Sequence, residues 1–451
     1  MNQQVVSGPK GNLLLGSMLD FRRRPLEFLL DAAETYGDVV RFRLGPYRVY
    51  LVNGPDNIHE VLVAQQKKIL KTDFNRSLLG RFLGNGILTS EGDFHRRQRR
   101  LMQPAFHHQR IASYAEGMVS TTLHMLDGWQ AGQRYDIDAE MMKLTLNIVS
   151  DALFGSEVSA TAIGNVSDAI AILQRITVME FKTGFSLPEW LPAPRNRRRR
   201  KAAQAINDAV LGLIRERRAS GKLGDDLLSM LLQAQDEDDG SAMTDEQVLH
   251  EATTLFVAGH ETTSNALTWT WYLLSQNPEV EARLYDELAR VLDGRPPTLD
   301  DLPELKYTER VIKEAMRLYP PAWLLFSRSP LEPVNIGGHR INPGEWIFIS
   351  PYTMHRSAAY FDDPQRFDPE RFTEAREKAL PRYAYFPFGG GPRVCIGNAF
   401  AMMEACLVLA TVAQRYRLEL DAGQEIVPEP EITMRTRDGL HMTARTRNPA
   451  H

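Results

Sequence analysis

The sequence predicts a mainly α-helical fold with small β-sheets, built as a single domain over residues 1–451. Three observations lead there. Apolar residues recur at helical spacing through most of the chain, the longest pattern running from Thr244 to about Gln276. Period-two alternation is confined to short pieces, above all Val39–Leu44 and Tyr47–Val52. No internal repeat or low-complexity linker divides the chain, and residues 236–241, the best candidate boundary, are few enough to be an ordinary loop.

Each element has a local cause. The two alternating segments flank Gly45-Pro46, which makes them a hairpin. The long helix opens at Thr244, whose side chain can cap it while Gln247 reaches back, and its length is about 48 Å at 1.5 Å per residue. A helical pattern over residues 305–318 gives way at Pro320-Pro321, and strand-like pieces follow through residues 346–350. A last helix, Asn398–Arg415, opens directly after a glycine-rich loop.

Composition narrows the function. Of 451 residues 43% are hydrophobic, enough for a large core. Asp and Glu number 57 against 53 Lys and Arg, so nothing attracts nucleic acid. No stretch reaches the roughly 18 apolar residues of a membrane span, and Met1 to Lys10 is polar rather than a signal segment. A cytoplasmic monomer with no membrane anchor is expected. The two cysteines, Cys395 and Cys406, stand 11 residues apart. On a helix that is about 16 Å, too far for a disulfide. Cys406, in an apolar run, reads as an inert core thiol.

Cys395 has different neighbours: Phe386-Pro387-Phe388-Gly389-Gly390-Gly391-Pro392-Arg393-Val394-Cys395-Ile396-Gly397. Three glycines permit close approach of a flat macrocycle to the main chain. The helix N-terminus beside Cys395 favours thiolate, which a metal ligand requires. Arg393 is shaped to pair with a carboxylate. A phosphate-binding loop is the competing reading of the glycines, but the Lys-Ser/Thr ending is missing.

Phe388, Gly391, Arg393, Cys395 and Gly397 match every fixed position of the haem-binding signature of the cytochrome P450 family, and the chain resembles that family. The resemblance implies the cytochrome P450 fold, with haem b between the long helix and the Cys395 loop and Cys395 as the iron ligand. Ala258-Gly259-His260-Glu261-Thr262 resembles the family's oxygen-activating element, so Glu261 and Thr262 inherit the acid and alcohol roles of a proton relay, and Ala258 lies against the cofactor. On helical spacing Leu255, Ala258, Gly259, Thr262 and Ala266 share one small, mostly apolar face. Thr262 can bond back to the preceding turn and, beside Gly259, distort the helix. His260, about 200° round the helix from Thr262, is either a second ligand or a histidine bonded elsewhere.

Glu314 and Arg317 resemble the family's Glu-x-x-Arg element, which Arg371 completes as a structural cluster. His95 and Arg99, four apart, resemble its propionate-binding pair, and Arg328 is a further candidate for that task. Arg96 and Arg100 then form a separate basic row where a small acidic electron carrier can dock. By family position Phe82, Leu83, Leu88, Phe181, Leu255, Trp323, Leu324, Leu325 and Met434 face the substrate. Their apolar character favours a lipophilic substrate, a fatty acid, terpenoid or steroid. The basic run 195–201 reads either as a carboxylate attractor or as a solvated helix face.

The activity implied is a haem-thiolate monooxygenase. It inserts one atom of O2 into the substrate by hydroxylation or epoxidation, with NAD(P)H-derived electrons delivered by a separate ferredoxin or flavodoxin and its reductase. The alternatives are a peroxide-driven peroxygenase or isomerase on the same fold, and a haem-based gas sensor. Retention of Glu261 and Thr262 speaks against the first, and the lack of an output domain against the second.

Overall fold

The computed structural model describes residues 7–155, 160–183, 187–188, 190–221 and 223–447, the side chains of 160–163 and 181–183 excepted. Helices dominate it, and the short strands form four small sheets among the described residues. Strands β1 (Val39–Leu44) and β2 (Tyr47–Val52) pair as the expected hairpin, Val39 opposite Val52 and Leu44 opposite Tyr47. Gly45, with φ of 59°, makes the turn that an L side chain would strain. Strands β3 (Ile69–Lys71), β4 (Arg328–Pro330) and β5 (Trp346–Phe348) complete a sheet of order β1-β2-β5-β4-β3. The antiparallel β3–β4 pairing sets Lys71 directly opposite Arg328. Like charges at such a position repel, so both need an anion nearby.

Eight helices position the site: α1 (Asp73–Leu83), α2 (Gly92–Met102), α3 (Ile137–Phe154), α4 (Ala160–Thr183), α5 (Pro194–Ser220), α6 (Asp245–Gln276), α7 (Lys306–Leu318) and α8 (Asn398–Arg415). The capping box at the start of α6 is formed as its sequence implies, Thr244 accepting from the Gln247 amide and Gln247 accepting from that of Thr244. Helix α6 packs against α3, α5, α7 and α8, which explains why apolar residues occur on several of its faces. Its first half shares a core with α4 and α5, and its second half shares one with α3, α7 and α8. Cys406 lies in the second core, and burial pushes its thiol up, as an inert core cysteine requires.

Helix α7 ends before Pro320-Pro321, and α8 begins one residue after the glycine that follows Ile396. Residues 236–241 are a tight turn tied to α2, since buried Asp236 pairs with Arg97 and Arg100. Among the described residues no helix is long and apolar enough to cross a membrane.

Candidate functional site

The Cys395 loop is held by its own backbone. The Cys395 amide donates to the Phe388 carbonyl at 2.9 Å, the Gly389 amide to Phe386 at 3.0 Å, and the Val394 amide to Gly391 at 3.1 Å. Two glycines answer to protein packing rather than to a macrocycle. Gly391 has φ of 62°, and a Cβ there would stand 2.1 Å from the Leu62 carbonyl oxygen; a Cβ on Gly390 would stand 2.3 Å from the Tyr383 ring. Gly397 differs, because a Cβ added there meets only Phe106, at an ordinary 3.8 Å. The protein alone does not require glycine at 397, so the space beside it suits a flat group.

The Cys395 side chain is open to a water-sized sphere although protein encloses it. Enclosure pushes its thiol up, while the Gly397 amide and Arg99 draw it back. The expected effect of the helix N-terminus is therefore outweighed by burial, and the thiolate needs a bound cation to persist.

A concentration of positive charge surrounds this loop. Arg99 of α2 donates to the Val394 carbonyl at 2.6 Å. Arg393 donates to the Ser90 carbonyl at 2.8 Å and pairs with Glu91. Lys71 stands 3.5 Å from the other Glu91 oxygen, and buried Arg328 leaves its Nε without a partner. Burial, then the repulsion of Arg393, lowers Lys71 to about 7. Arg328 falls to about 10 chiefly by burial. His95, buried in the same group, is lowered to about 3 by burial and by Arg393, Lys71 and Arg99, so its ring is neutral.

Among the described residues Glu91 is the one carboxylate acting on Lys71, Arg328 and Arg393, while Arg99 feels the Cys395 thiol. Four basic side chains against one carboxylate leave a site suited to further carboxylates. An iron porphyrin carrying two propionates above Cys395 fits that donor set.

On α6 the predicted face divides. Ala258 is exposed in mid-helix, and Leu255 and Thr262 are half-buried, so these line an opening. Ala266 is buried, and Gly259 turns to α3, where a Cβ would stand 2.8 Å from Val149 Cγ2. Gly259 thus serves close helix packing, and α6 continues unbroken. The Thr262 hydroxyl donates to the Ala258 carbonyl at 2.8 Å. Buried His260 bonds the Phe256 carbonyl through Nδ1 at 2.7 Å, and its own carbonyl accepts from Thr145 of α3, about 200° round the helix from Thr262. Glu261 accepts from Gln174 of α4 at 2.6 Å and from Thr433, which also accepts from Asn265. In this arrangement its carboxylate is engaged away from Thr262.

The charge cluster is wholly interior. Arg317 forks onto Glu314 at 2.6 and 2.8 Å, and Arg371 approaches the same carboxylate at 3.3 Å. Arg317 also donates to the carbonyls of His355, Pro364 and Arg366. His355 then accepts from the Phe386 amide and thereby touches the cysteine loop.

Sequence reasoning missed Lys71 and His355, which lie outside the recognised motifs, and Glu91, which stands four residues before His95 but carries no signal of its own. It also missed Glu404, buried on α8 and held neutral well above the usual carboxylate range. The basic row reaches solvent as expected, but each member has an acidic neighbour: Arg100 pairs with Asp236 and Asp238, and Arg96 with Asp93. In the basic run, Arg195 and Arg199 are taken up by Glu180.

The substrate candidates are scattered. Leu88, Leu324 and Leu325 are half-buried, and Phe82 packs against the core shared with α5. Trp323 and Met434 are interior, Trp323 donating to the Glu431 carbonyl at 2.9 Å, and Leu83 is buried against a small crevice between α1, α5 and α6. Phe181 lies on α4, its side chain outside the described residues.

Comparison with known proteins agrees with this geometry. The family model described as Cytochrome P450 matches residues 6–442. Cyclooctatin synthase of Streptomyces melanosporofaciens is 40% identical over 429 residues, covering 94% of this chain and 92% of that protein. Cyclooctat-9-en-7-ol 5-monooxygenase of the same organism is 37% identical, covering 90% and 87%. Pentalenene oxygenase of Streptomyces avermitilis is 36% identical, covering 96% of each. The crystal structure of the cytochrome P450DA heme domain superposes with a TM-score of 0.89 at 26% identity, over 99% of this chain and 98% of that one.

Proposed function

The chain belongs to the cytochrome P450 family, and from that premise we propose that it is a haem-thiolate monooxygenase acting on a polycyclic terpenoid, either hydrocarbon or alcohol. The carrying observation is the cluster of Lys71, Arg99, Arg328 and Arg393 beside Cys395, with Glu91 the one carboxylate described among them. The names of three relatives, two of them oxygenases by title, supply the substrate class.

Haem b, if held through the Cys395 thiolate, would supply dioxygen activation, as is general for this ligation. Cys395 holds the iron. Arg99, Arg328, Arg393 and Lys71, with the ring N–H of His95, would receive the propionates, and Phe388 and Gly397 would shape the cradle. Thr262 holds a proton-bearing hydroxyl beside the opening at Ala258. Glu261 supplies protons from the far side once it leaves Gln174 and Thr433. Leu88, Leu255, Leu324 and Leu325 offer apolar wall to the substrate. Electrons originate in NAD(P)H and arrive through a ferredoxin or flavodoxin.

The test is reconstitution with ferredoxin, ferredoxin reductase and NADPH under 18O2, offering pentalenene and cyclooctat-9-en-7-ol. A product carrying one labelled oxygen supports the proposal. Turnover with hydrogen peroxide alone and no labelled product with the reductase chain contradicts it.

A further inference from the structure

The loop of residues 84–90, between α1 and α2, is docked onto α6 by its main chain. The Asn85 amide donates to Nδ1 of His250 at 3.3 Å, and the Ile87 amide donates to Oε2 of Glu251 at 2.8 Å. Two glycines allow the approach. Gly84 has φ of 65°, and a Cβ there would stand 2.0 Å from the His250 ring. A Cβ on Gly86 would stand 2.5 Å from Thr254 Oγ1 and 3.0 Å from the His250 carbonyl. Thr89 closes the loop on itself, donating to the Gly84 carbonyl at 2.7 Å. Leu88, in the apolar wall, directly follows the bonded Ile87.

We propose that His250 and Glu251 are positioning residues whose consecutive side chains latch loop 84–90 to α6 and so place Leu88 for substrate. The identity of that substrate rests on the monooxygenase reading, but the latch does not.

Both latch groups titrate, in opposite senses. Burial raises Glu251 to about 8, the Ile87 amide being the one group that draws it down. Burial lowers His250, against the pull of Glu246 on its own helix. The His250 ring also borders a crevice of about 140 Å³ that Arg81 of α1 and Asn207 of α5 share. A released Glu251 ionises from about 4.5, its ordinary value, whereas the docked one stays neutral to about 8. Rising pH therefore favours release across that window, and no further above it. Burial lowers the docked His250 below its ordinary 6.5, so just below that value falling pH also favours release. There the two tendencies oppose one another. Above 6.5 Glu251 acts alone.

The experiment is amide hydrogen exchange of the haem-loaded protein from pH 5 to 9, reading protection at Asn85 and Ile87 after correction for intrinsic exchange. Wild-type protection should fall by up to tenfold per unit from about pH 6.5 to about pH 8, roughly 30-fold in all, then level off, with a shallower change just below pH 6.5. Glu251→Gln keeps an acceptor for the Ile87 amide and should abolish the fall. His250→Asn should steepen the change just below pH 6.5. The carbon monoxide spectrum, unchanged in both variants, separates the latch from the haem site. A wild-type profile without the fall, or the same fall in Glu251→Gln, overturns the proposal.

Discussion

The backbone amide of Phe386 donates to Nε2 of His355 at 2.9 Å. His355 is buried and held neutral by burial and by the neighbouring Arg317 and Arg356, so its Nε2 is free to accept. Because Arg317 donates to the His355 carbonyl at 2.8 Å, the charge cluster and the cysteine loop are mechanically one unit.

Glu314→Gln should therefore destabilise the fold and loosen the haem together. It leaves Arg317 buried without its counter-charge, which costs roughly 3–5 kcal/mol. Thermal melting and haem release to a scavenging apoprotein check both effects. Unaltered haem release in a variant that melts lower would uncouple the cluster from the loop.

Arg328→Met should act in opposite directions on the two forms of the protein. Arg328 is buried opposite Lys71 with one Nε hydrogen unsatisfied, so removing it relieves repulsion in the haem-free protein. The haem-free form should melt higher and the haem-loaded form should lose cofactor faster. Paired melting curves and haem-release rates decide it.

Lys71 makes the haem-free protein sensitive to pH. Its folded value of about 7 lies below the ordinary 10.5, so the unfolded chain binds the extra proton between these values. Stability of the haem-free protein should rise with pH across that window and the Lys71 contribution should vanish below it. Lys71→Met should flatten this rise in a denaturant-midpoint series from pH 7 to 10.

Thr262→Ala should leave folding nearly intact, because its hydroxyl bonds only its own helix, a loss of about 1 kcal/mol. Haem and substrate should still bind. Product formed per NAD(P)H consumed should fall, with hydrogen peroxide rising in step. Unchanged coupling would remove Thr262 from proton delivery.

What the sequence made legible was whatever local chemistry dictates. The hairpin register follows from alternation around Gly45, and the start of α6 from Thr244 and Gln247. Glu314 and Arg317 meet because they share a helix face one turn apart. Tertiary partners were not legible. Nothing near Arg100 in sequence announces Asp236, which neutralises it from 136 residues away. Gly259 and Gly391 carry glycine for close contacts with Val149 and Leu62, elements that no local pattern connects to them. Periodicity likewise could not tell the wall residue Leu255 from the interior Trp323 and Met434, since all are apolar.

The most direct test of the central assignment, Cys395 as the thiolate ligand, is the spectrum of the reduced protein under carbon monoxide, recorded for wild type, Cys395→Ala and Cys406→Ala. The wild type and Cys406→Ala should show the long-wavelength Soret band of a thiolate-ligated carbonyl, and Cys395→Ala should lack it. A Cys395→Ala protein that keeps that band, or a wild type that binds haem and never shows it, would contradict the assignment.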